Sequence, residues 1–68
     1  MREKQLAPHQ QRVVTERDEL AEKVGKLHDF TLSLMFGELH ADEQQRLHRQ
    51  LLIMRLYLQV LSERITAF

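Results

Sequence analysis

The chain has 68 residues and no cysteine, and its ten basic and ten acidic side chains cancel. One domain at most fits this length, and a core this small supplies only about 3–5 kcal/mol, so a staple is required. Disulfides, thiolate zinc sites and cysteine nucleophiles are excluded, and balanced charge excludes a global pull towards nucleic acid or anionic lipid.

The opening run MREKQLAPHQ has charge but no apolar stretch. Residues 1–7 read as a flexible N-terminus and not as a secretion leader. Pro8 suits the first position of a helix, where its missing N–H costs nothing. From there Val13, Leu20, Leu27 and Leu34 recur every seven residues. Val14, Ala21, Val24 and Met35 widen this stripe, which is helical periodicity. A first helix is expected over 8–36, with Gly37 stopping it in the left-handed conformation. Gly25, inside that helix, reads as a neutral surface position.

A turn over 37–41 leads to a second helix over 42–67. Asp42 with Gln45, or His40 with Glu43, has the spacing of a capping box. Two helices of similar length joined by a short link make an all-α antiparallel hairpin spanning residues 8–68.

On a helical wheel, Gln44, His48, Arg55, Gln59, Ser62 and Thr66 form a narrow polar strip. The remaining arc holds Leu47, Leu51, Ile53, Met54, Leu56, Tyr57, Leu58, Val60, Leu61 and Ile65. One neighbouring helix covers only about 100° of such a surface, so a second cover is expected. Phe30, Leu32 and Phe36 lie off the main stripe of the first helix and want burial too. The simplest cover is another copy, giving a homodimeric four-helix bundle or a higher oligomer. Leu47, Ile53, Met54, Tyr57, Val60, Leu61 and Phe68 are the expected interface residues. No membrane span is expected, since Arg55 and Gln59 interrupt an apolar run that is too short.

Gln50, Tyr57 and Arg64 run down the arc at intervals of seven. If two copies cross antiparallel at Tyr57, Gln50 meets the partner's Arg64. Ile53 then meets Leu61, and Met54 meets Val60. One reading is a buried polar layer that sets register. The other is a pocket in which tyrosine stacks on a flat ligand, arginine holds an anion and glutamine hydrogen-bonds.

Thr15, Thr31, Ser33, Ser62 and Thr66 have no base and orienting group at nucleophile spacing, so no catalysis is expected. No phosphate-cradling glycine loop occurs, and no cofactor is implied. His28, His40 and His48 lack the spacing for a third ligand, so no metal is expected. Arg46 and Arg49, helped by Arg55, are the densest basic pair. They permit RNA binding by a hairpin dimer but do not favour it, because no aromatics interleave.

The strings QRVVTERDELAEKVGKLHDF and EQQRLHRQLLIMRLYLQVLSERI resemble a family of short phage and prophage proteins named after an open reading frame of a crAss-like phage. The similarity rests on Gln11, Arg12, Val13, Glu16, Glu19, Leu20, Leu27, Phe30 and Phe36. In the second helix it rests on Glu43, Gln44, Leu47, Gln50, Met54, Tyr57, Leu61, Arg64 and Ile65. The resemblance implies phage origin and an accessory role, and it implies no activity; with neither a leader nor a span expected, the host cytoplasm is the expected setting. The leading expectation is a non-catalytic oligomer that docks on a host or defence protein, with Arg12, Glu16, Glu19 and Lys23 outward. The alternatives are a sponge that sequesters a nucleotide-type signal at the subunit seam, and an RNA-binding dimer.

Overall fold

A computed structural model describes residues 5–68 of the chain, so most of the expected flexible N-terminus lies outside the described residues. Three helices follow one another: α1 (Pro8–Thr31), α2 (Leu34–Gly37) and α3 (Ala41–Thr66). The long helices α1 and α3 pack on each other as a hairpin, and no strand occurs among the described residues. Their antiparallel sense is visible in two contacts: Tyr57 late in α3 reaches Glu16 early in α1, and Phe36 packs on His48 early in α3.

Pro8 opens α1, and the Gln10 side chain folds back to accept from the Ala7 amide at 2.9 Å. This satisfies one donor that the helix start leaves without an intrahelical partner. Val13 is buried, and Val14, Leu20, Val24 and Leu27 are half-buried along the same stripe. Gly25 is exposed, and a Cβ added there would meet nothing within 4 Å.

The first helix does not run unbroken to residue 36, as the periodicity predicts. It ends at Thr31, and the reason lies in the hydroxyls of TLSLMF. Thr31 Oγ1 donates to the His28 carbonyl at 2.6 Å, and Ser33 Oγ donates to the Phe30 carbonyl at 2.7 Å. Such bonds compete with the helix ladder. Ser33 takes an extended conformation and its Oγ then accepts from the Phe36 amide at 3.3 Å, starting α2 afresh.

This break turns Phe36 inward. It is 7% exposed, edge-on to Phe30 at 6.0 Å and to His48 at 5.0 Å. Phe36 therefore finds cover within its own chain. Leu34, expected on the buried stripe, is displaced to 91% exposure, and Leu32 and Met35 are exposed beside it.

Gly37 closes α2 without a left-handed turn, because no described residue has positive φ. Gln44 Nε2 donates to the Leu39 carbonyl at 2.9 Å and holds the link against the start of α3. The α3 cap is His40, whose Nδ1 accepts from the Asp42 amide at 3.1 Å. Asp42 and Glu43 in its first turn and Arg64 in its last complement the helix dipole.

The result is a rod of 54 × 16 × 16 Å. Its radius of gyration is 15.9 Å, against about 11 Å for a compact domain of this length.

Candidate functional site

Two sides of α3 differ sharply. Towards α1, Leu51 and Leu61 are closed off at 4% and 0% exposure, flanked by half-buried Leu47, Met54, Leu58 and Ile65. On the opposite side Leu52, Ile53, Leu56, Tyr57 and Val60 are all open, Ile53 at 64%. A single packed helix covers too narrow an arc to reach them. Exposed Arg46 and Arg49 lie at one end of this apolar patch, and exposed Glu63 and Arg64 at the other. At 100° per residue, Arg46, Arg49, Ile53, Leu56, Val60 and Arg64 fall within about 80° of the helix surface.

At the N-terminal end of the patch, Arg46, Arg49, Gln50, Ile53 and Met54 line a shallow depression of about 290 Å³. Its floor is apolar and its rim carries two guanidinium groups. Arg46 Nε donates to Glu43 Oε1 at 2.8 Å, so its charge is partly matched within α3. Arg49 has no ion pair among the described residues. Gln50 Nε2 points at the Met54 sulfur at 3.8 Å.

Tyr57, near the middle of the patch, donates its hydroxyl proton to Glu16 of α1. That hydrogen bond raises the phenol above its ordinary value of 10.0, helped by partial desolvation and by the Glu16 charge, while Arg64 pulls it down. The ring is thus held at one edge of the face, with its hydroxyl tied to α1.

The expected ligand line lies along one exposed side of α3, but only one of its members borders the depression. Gln50 borders the depression, whereas Tyr57 and Arg64 lie one and two heptads farther along the same exposed side. Among the expected interface residues, Ile53, Tyr57 and Val60 are open, and Leu47, Met54 and Phe68 are half-buried. Leu61 is a correction: it is wholly enclosed by the hairpin and cannot meet Ile53 of another copy. Arg12, Glu16, Glu19 and Lys23 are all exposed, and Glu16 also accepts from Tyr57, linking the two long helices.

Sequence reasoning missed Leu52 as part of the open patch, and it weighed Arg46 and Arg49 only against nucleic acid. The signal was present in the i, i+3, i+7 spacing of Arg46, Arg49 and Ile53, which places them on one line with Leu56 and Val60. Among the described residues no three metal-ligating side chains cluster, and no helix is long and apolar enough to cross a membrane.

A family profile, Sequestin, matches residues 7–67, which take in all three helices. The chain belongs to the Sequestin family. The crAss-like phage association read from the sequence is not part of that match. No curated protein and no solved structure matches the chain.

Proposed function

We propose, taking membership of the Sequestin family as the premise, that this chain is a non-catalytic sponge. It retains a small anionic molecule of nucleotide type on the open face of α3 in an oligomer. The observation that carries the reading is the composition of that face: guanidinium groups at both ends of an apolar surface that also presents a tyrosine ring. Arginine suits phosphate oxygens, an aromatic ring suits a flat base, and exposed leucine and isoleucine suit burial against either ligand or partner.

The family's name, which speaks of sequestering, fits retention better than turnover. So does the state of the hydroxyls. Thr31, Ser33 and Thr66 all donate to helix carbonyls, which leaves them occupied as helix-end groups. A phage origin, implied by the resemblance, together with the expected host-cytoplasm setting would make the retained molecule a host signal.

Mass spectrometry of small molecules released on denaturing the purified protein tests this reading. A phosphate-bearing nucleotide in near-stoichiometric amount is the expected outcome. A ligand-free protein whose tyrosine fluorescence does not respond to added adenosine diphosphate would contradict it.

A second reading, docking on a host or defence protein, is favoured by the apolar tip of the rod. There Leu32, Leu34 and Met35 stand open together at the break between α1 and α2. Leu34→Asp would then abolish capture of that protein and leave ligand retention intact.

A further inference from the structure

We propose that the anion site on α3 is shared between two copies of the chain, with Arg49 supplied by one and Arg64 by its antiparallel partner. The inference rests on the sponge reading for the ligand, but its geometry stands on the helix alone.

Arg49 and Arg64 are fifteen residues apart on one straight helix, about 22 Å at 1.5 Å per residue. One phosphate group cannot bridge that span within a chain. A two-fold crossing changes this. The open apolar residues run from Leu52 to Val60, and their midpoint is residue 56. The midpoint of Arg49 and Arg64 falls between residues 56 and 57. The axis that lays patch on patch therefore brings Arg49 opposite the partner's Arg64, twice.

The occupant of the patch is a second copy because the face is complementary to itself about that axis. Ile53 meets the partner's Val60, and Leu56 meets the partner's Tyr57. Basic Arg49 also lies near the partner's Glu63, which offsets one of two guanidinium charges at each end. The other is left to be matched by an anion. Arg46, held by Glu43, borders the same end.

The absence of cysteine permits a direct test. Under mild oxidation, R49C mixed with R64C should form disulfide-linked dimers, and L56C should cross-link to itself. R49C alone and R64C alone should not. Cross-linking of R49C to itself, or none in the mixture, would overturn the antiparallel register.

The second arm uses adenosine diphosphate as probe. R49A and R64A should each lose binding while keeping their helical circular dichroism. Mixing and reassociating them should restore about a quarter of wild-type capacity, because half of the dimers are mixed and each carries one intact site. If each variant alone keeps half the binding and mixing adds nothing, the site lies within one chain and the proposal fails. If the cross-links form as expected but the wild type binds no probe, the shared register stands and the sponge reading falls.

Discussion

Tyr57 ties the open face of α3 to α1 through its hydrogen bond to Glu16. A phenol held in its protonated form by the fold stabilises the folded state fully below its ordinary value of 10.0. That contribution is lost as pH rises through the higher folded-state value. The chain contains one tyrosine and no tryptophan, so phenolate absorbance reports on this group alone. The midpoint of an alkaline titration is expected above 10.0, and Glu16→Gln should bring it down by removing the carboxylate that opposes ionisation. An unchanged midpoint in the variant would show that Glu16 does not hold the hydroxyl. The Gln50, Tyr57 and Arg64 line was legible as a row on one helix face. That Tyr57 would be claimed by α1 was not, because the pairing depends on a tertiary register between residues 41 positions apart.

At the scale of elements, the two long helices follow from heptad spacing and Pro8, and their antiparallel pairing follows from their similar lengths. What periodicity could not show is the interruption at residues 32–33, where two side-chain hydroxyls outcompete the helix ladder for carbonyls. Apolar letters alone would keep Leu34 on the buried stripe. The break instead sends Phe36 inward and Leu34 out. Nor does a wheel separate the half of α3 that α1 covers from the half it leaves open, since both are rich in leucine. Leu61 and Leu56 make that division measurable. Leu61→Ala deletes a fully buried side chain and should cost about 2–5 kcal/mol, comparable with the whole stability of so small a core. Leu56, 55% exposed in the single chain, should cost under about 0.5 kcal/mol in a lone hairpin. In a dimer, Leu56→Ala should instead weaken association, lowering the unfolding midpoint of the concentration-dependent wild type. Chemical denaturation at two concentrations distinguishes these outcomes, and equal losses for the two variants would contradict the two-sided description of α3.

For the whole molecule, a rod 16 Å across cannot enclose both sides of an apolar helix. It lacks the disulfides that commonly compensate in domains of this size. In the proposed dimer, association of folded chains would supply compensating stability by mass action. The same contact would gather the arginines of two chains at each end of the seam. Oligomerisation and ligand retention are thus proposed for one face, formed by Leu52, Ile53, Leu56, Tyr57 and Val60, and the first can hold without the second. The most direct test of the first is the mass of the folded protein by sedimentation at micromolar concentration. Twice the chain mass of 8.1 kDa is expected, falling to the single-chain value in Leu56→Asp with helicity retained. A stable, cooperatively folded wild-type species at 8.1 kDa would contradict the account.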